Sequence, residues 1–92
     1  MSYTDEVGPL REEINVLNEE ILEKIGERVE VSLRIGDVKR KHGVPVVDRT
    51  REAAVLDHVG GLAADRGLDS EGVRRVFREI IELCVKAEEK MP

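Results

Sequence analysis

Ninety-two residues with a formal net charge of -5 and 38% charged side chains set the scale of one small domain with a marginal core. Net acidity repels phosphate backbones, and with Tyr3 and Phe77 as the two aromatics there is little to stack on bases, so a nucleic-acid partner is excluded. No apolar run of ~18 residues exists, which excludes a membrane span, and a lone Cys84 excludes an intrachain disulfide and a cysteine-based zinc site.

The opening MSYTDEVG has no basic n-region and no apolar h-region, so it does not read as a signal peptide. A single thiol suits a reducing compartment, and the expected location is the cytoplasm. The first predicted helix runs from about Pro9 to Lys41. Proline at the first helical position is harmless, because its missing N–H would be unpaired there anyway. Leu10, Ile14, Leu17, Ile21, Ile25, Arg28, Ser32, Ile35 and Lys39 form one stripe at spacings of three and four. The first half of the stripe is apolar and the second half turns polar. Two readings stay open: a helix that lines a core and then a site, or one whose end faces water. At 1.5 Å per residue such a helix is ~50 Å long, against ~32 Å for a compact globule of this size. It must bend or be covered by another chain, and a dimer with the long helices packed together is the expectation.

Gly43 and Pro45 stop that helix, one as a left-handed cap and the other as a barrier to continuation. Asp48 is placed to cap a second helix that runs to about Arg66. Ala53, Leu56, Val59 and Ala63 give it a narrow apolar face, with Gly60 and Gly61 marking either a close helix contact or a kink. Gly67 ends it, Leu68 is positioned to pack back on it, and Asp69 caps a third helix over Ser70 to Lys90. Val73, Phe77, Ile80, Ile81, Cys84 and Glu88 lie on or beside one stripe of the third helix. The chain therefore reads as one all-α domain over residues 1–92, with one long helix and two shorter ones.

Charge is unevenly spread. Residues 1–34 sum to -5 and residues 53–92 to -2, whereas Ile35 to Glu52 sums to +2. A cationic island in an acidic chain is a place for an anionic ligand. Helical cations usually have an acid three or four residues away. Lys24 has Glu20, Arg34 has Glu30, and Arg40 and Lys41 have Asp37, but Arg11, Arg28 and Lys39 have none at that spacing. Simple solvation is one account of those three cations, and ligand binding is the other. Arg28 and Lys39 are eleven residues apart, so they share a face at ~16 Å along the axis. Arg11 lies seventeen residues before Arg28, ~25 Å away and rotated by ~100°. It reaches the same small ligand only from the other subunit of an antiparallel dimer.

The stretch G-D-V-K-R-K-H-G-V-P-V-V-D-R-T-R-E resembles the central motif of the all-helical class of chorismate mutases. The similarity extends to L-R-E-E-I-N-V-L-N-E-E-I-L near the start, E-R midway along the first helix, and G-L-D followed by V-F-R-E-I-I-E in the third. It implies an intertwined helical homodimer that rearranges chorismate to prephenate, a step towards phenylalanine and tyrosine. That Claisen rearrangement needs no nucleophile, metal or redox cofactor. The substrate dianion must be held in a chair-like form while its ether oxygen gains negative charge, so positioning and electrostatics supply the rate.

By resemblance, Arg28 and the partner's Arg11 hold the substrate carboxylates, for which guanidinium forks are suited. Lys39 places its ammonium at the ether oxygen. Glu52 and backbone near Asp48 take the ring hydroxyl, Arg51 orders this region with Asp48 as its partner, and Gly36 keeps the wall free of a side chain. Cys84 falls where a small hydroxyl residue lines the family's site, and it reads equally as a buried apolar thiol. Glu88 falls where the family carries Gln or Glu opposite the lysine, and its other reading is a solvated acid in the E-E-K tail. The same cationic pocket would suit an isochorismate-pyruvate lyase. A non-catalytic helical module that regulates a partner enzyme is the alternative from another class, and the aligned free cations argue against it.

Overall fold

The computed structural model describes residues 1–90. Among them the chain is three helices, α1 (Tyr3–His42), α2 (Arg49–Asp65) and α3 (Ser70–Glu89), with no strand. The all-α expectation holds, and each boundary has a local cause.

α1 begins six residues before the expected Pro9. Ser2 and Asp5 form a reciprocal capping box, and Asp5 and Glu6 place negative charge in the first turn, where the helix dipole favours it. Pro9 sits inside the helix and costs it one intrahelical bond, which the cap upstream offsets in part. The far end is as expected: Gly43 is left-handed at φ 67, its N–H reaches back to the Arg40 carbonyl, and Lys39 to His42 put basic groups in the last turn.

Asp48 caps α2 by accepting from the Arg51 backbone N–H, and Asp69 caps α3 by accepting from the Gly72 N–H. Between them Gly67 adopts φ 70, and the Leu68 N–H returns to the Ala63 carbonyl at 2.8 Å. That bond closes the helix end, but the Leu68 side chain remains 56% exposed and does not pack back.

α3 packs against both α1 and α2, which do not pack against each other. Its expected stripe is the one turned inward: Val73, Phe77, Ile80, Ile81, Cys84 and Glu88 are all buried or half-buried. On α2 the inward face is displaced from the expected one. Ala53 is exposed, whereas Val55, Leu56, Val59, Gly60 and Ala63 turn towards α3. Gly60 is the close contact rather than a kink. A Cβ there would lie 2.5 Å from Arg74 Nη2, and the Gly60 carbonyl accepts from Ser70 Oγ at 2.9 Å. Nothing lies within 4 Å of the corresponding point at Gly61.

The forty residues of α1 span ~60 Å, matching the 62 Å long axis of the chain. The radius of gyration is 17.3 Å, against about 12 Å for a compact chain of this length. α1 therefore runs straight past its own neighbours. Leu10, Ile14, Leu17 and Ile21 are 58%, 55%, 50% and 55% exposed, so the apolar half of the stripe has no cover within the chain. The helix does not bend to bury it. None of the helices is long and apolar enough to cross a membrane among the described residues.

Candidate active site

Where α1 does meet α3, the two helices and the start of α2 enclose a cavity of about 430 Å³. That is the volume of a small-molecule site. The polar half of the α1 stripe supplies Arg28, Ser32 and Lys39 to one wall. Asp48, Arg51 and Glu52 come from the start of α2, and Cys84 and Glu88 from the stripe of α3. Seven of the eight side chains given a site role from sequence thus converge from three helices, with Ser32 of the α1 stripe beside them. Arg11 is not among the lining residues. It sits near the far end of α1, its guanidinium carbon 6.0 Å from the centre of the Tyr3 ring.

The cations of the cavity are held without carboxylate partners. Among the described residues, no acid lies within 4 Å of Arg11, Arg28 or Lys39. Arg28 Nη1 donates to Cys84 Sγ at 3.0 Å. Lys39 Nζ donates to the Val46 carbonyl at 2.6 Å, so the loop after α1 fixes the ammonium at the cavity wall. Both neutral acceptors leave the positive charge unspent. Elsewhere on α1 the pairing is local: Lys24 with Glu27 at 3.1 Å, in place of the expected Glu20, and Arg40 with Asp37.

Two acidic side chains at the start of α2 have local partners. Asp48 uses its carboxylate on the Arg51 backbone N–H at 3.0 Å, so the contact with Arg51 is a helix cap and not a side-chain ion pair. Glu52 is half-buried in the cavity wall and pairs with Arg49 Nη1 at 2.8 Å. Sequence reasoning counted Arg49 in the cationic stretch but not as the partner of Glu52, although the spacing of three on a helix is the signal that would have found the pair. The Val46 carbonyl was missed too, and a backbone acceptor leaves no signature in residue type. Val31, Val55 and Val85, to which the sequence reading assigned nothing, add apolar wall.

Glu88 is 6% exposed, which overturns its reading as a solvated tail acid. Burial pushes its carboxyl above the ordinary range, and the positive charge of Lys39 opposes the shift. Gly36 makes room for it. A Cβ at Gly36 would lie 3.3 Å from Glu88 Cγ and 3.5 Å from Oε1. Cys84 is 4% exposed and is both a buried thiol and an acceptor for Arg28.

Chemically, the cavity offers a guanidinium, an ammonium and a carboxyl whose protonated form is favoured by burial, facing one another across an apolar-lined space. No histidine lines it, and no nucleophile is paired with a base there. Among the described residues no group of three or more His, Cys, Asp or Glu side chains is arranged to hold a metal ion. Such a site is built to hold and polarise an anion.

The family model for chorismate mutase type II matches residues 10–89. The chain is 33% identical over 85 residues to a 4-amino-4-deoxychorismate mutase from Streptomyces venezuelae, covering 91% of this chain and 82% of that protein. It is 34% identical to the 4-amino-4-deoxychorismate mutase of Streptomyces pristinaespiralis, over 88% of this chain and 64% of that protein. Identity is 36% to a bifunctional chorismate mutase/prephenate dehydratase from Pseudomonas aeruginosa, over 99% of this chain and 26% of that one. The chain thus spans about a quarter of the bifunctional protein and most or nearly two thirds of the others.

Proposed function

Because the chain belongs to the chorismate mutase type II family and is an isomerase of that kind, we propose that it converts chorismate to prephenate as an antiparallel homodimer. Membership places it in aromatic amino acid biosynthesis. The observation that carries the substrate reading is the pair of unneutralised cations, Arg28 and Lys39, on one wall of the cavity opposite a buried Glu88. A dianion that gains charge at an ether oxygen needs that arrangement.

Arg28 binds one carboxylate of the substrate, and the partner's Arg11 binds the other. The exposed apolar stripe from Leu10 to Ile21 supports the dimer, since a second copy of α1 running the opposite way would cover it and bring its own Arg11 to the cavity. Lys39 donates to the ether oxygen. Its bond to the Val46 carbonyl uses one of three ammonium protons and leaves two. Protonated Glu88 donates to the same oxygen from the facing helix. Developing charge is thus met by donors already oriented, and the transition state gains more than the ground state. Glu52 and the α2 N-terminus receive the ring hydroxyl, and Cys84 orients Arg28. No cofactor is required, and the whole sequence acts as a single domain in the cytoplasm.

The deciding experiment is incubation of purified protein with chorismate and, separately, isochorismate, with identification of products. Prephenate from chorismate supports the proposal. Release of pyruvate from isochorismate, with chorismate untouched, replaces it with the lyase reading. No turnover of either would leave a non-catalytic module.

A further inference from the structure

Three carboxylates line the cavity, and they are not equivalent. Asp48 is committed to the cap of α2. Glu88 is buried on the α3 wall, within the electrostatic reach of Lys39. Glu52 lines the cavity with its side chain 19% exposed, and its Oε1 accepts from Arg49 Nη1 at 2.8 Å. Arg49 itself is 81% exposed and lies outside the cavity, on the solvent side of Glu52.

We propose that Arg49 is a specificity-determining residue: by occupying Glu52 from outside, it biases the site towards an uncharged ring substituent and against a cationic one. The proposal rests on the reading that the ring substituent meets Glu52. The two substrates named among the relatives differ at that substituent, a hydroxyl in chorismate and an amino group in 4-amino-4-deoxychorismate. An alkyl amine is protonated near neutral pH. A free carboxylate attracts that ammonium. A carboxylate already paired with a guanidinium still accepts a hydroxyl's hydrogen bond, but an ammonium arriving there meets Arg49 as a like charge.

Because Arg49 is exposed, its effect is screened by water and by salt. The expected size is a change of about five-fold in the preference between the two substrates, equal to ~1 kcal/mol at 1.36 kcal/mol per tenfold. The change shrinks as ionic strength rises.

The test measures kcat/KM for chorismate and for 4-amino-4-deoxychorismate in wild type, Arg49→Gln, Arg49→Lys, Glu52→Gln and the double variant Arg49→Gln/Glu52→Gln. Where turnover of the amino compound is slow, its inhibition constant against chorismate reads the same preference. Arg49→Gln is expected to raise the amino-to-hydroxyl ratio about five-fold in low salt. Arg49→Lys retains the wild-type ratio. In the Glu52→Gln background, where no carboxylate holds Arg49 at the cavity edge, removing Arg49 shifts the ratio much less. An unaltered ratio in Arg49→Gln overturns the proposal, and so does an equal shift when Glu52 is already neutral. The underlying reading fails separately: Glu52→Gln that turns over chorismate with an unchanged ratio removes the ring substituent from Glu52, and a wild type inactive on both compounds removes the substrate class.

Discussion

Separating Arg11 from Arg28 by mutation tests the dimer and the assignment of both arginines together. The two residues are seventeen apart on one unbroken helix, hence ~25 Å apart along the axis. Arg28 lines the cavity and Arg11 does not. A small substrate cannot bridge that distance, so Arg11 acts in trans or not at all. Truncating a guanidinium that binds a desolvated carboxylate costs about 3 kcal/mol, a loss of roughly two orders of magnitude. Arg11→Ala and Arg28→Ala alone are therefore expected at about 1% of wild-type kcat/KM. After subunit exchange of equal amounts, about half of the dimers are mixed, and each mixed dimer has one site with both arginines and one with neither. Activity should recover to about a quarter of wild type, a gain of about 25-fold over either variant. The assay follows chorismate loss in a titration of one variant against the other, with exchange verified by mass spectrometry of tagged subunits. Verified exchange without recovery refutes the trans arrangement.

Three further outcomes are expected. Lys39→Ala should lower kcat by two or more orders of magnitude with little change in KM, since in the proposed role its ammonium meets charge that exists in the transition state alone; a raised KM at unchanged kcat would make Lys39 a plain binding group. Burial raises the Glu88 pKa against the opposing Lys39, so the protonated donor is favoured at acidic pH and lost as pH rises through that raised value. Turnover should fall on the alkaline side in wild type and stay level in Glu88→Gln, and superimposable profiles would remove Glu88 from the chemistry. The same sign governs stability: a carboxyl with a raised folded pKa supports the fold below its ordinary pKa and ceases to as pH climbs through the raised one, so the Tm of wild type relative to Glu88→Gln should fall over that interval. Gly36→Ala puts a Cβ 3.3 Å from Glu88 Cγ, and overpacking of ~1–3 kcal/mol should displace the carboxyl and cut kcat more than ten-fold while the helical circular dichroism is retained; full activity would mean that the α1–α3 seam yields freely.

Much of the site was legible because it lies on helices, where spacing in sequence is position in space. Arg28 and Lys39 are eleven residues apart and Cys84 and Glu88 are four apart, so each pair shares a face whatever the partner helix. The missing acids around Arg28 and Lys39 were legible for the same reason, and the structure finds neutral acceptors on both. The caps at Asp48, Gly43, Gly67 and Asp69 are local chemistry between residues a few positions apart, and they appear where residue type places them. The start of α1 was legible too, in the Ser2–Asp5 box, but Pro9 outweighed it in the reading.

Tertiary structure decided what depends on groups far apart in the chain. Glu88 opens the charged run Glu88, Glu89, Lys90 and looks solvated by composition; only the approach of α1 at Gly36 buries it and lifts its pKa. The Val46 carbonyl became a holder of Lys39 only when the loop after α1 folded back. Arg74 over Gly60 turned a costly glycine into a contact. The sequence by itself determined which side chains share each helical face and where each helix stops, since hydrogen bonds and sterics within one turn fix both. Which faces meet, and so which charges lose their water, was decided by packing alone, because desolvation depends on every atom nearby and not on the neighbours along the chain.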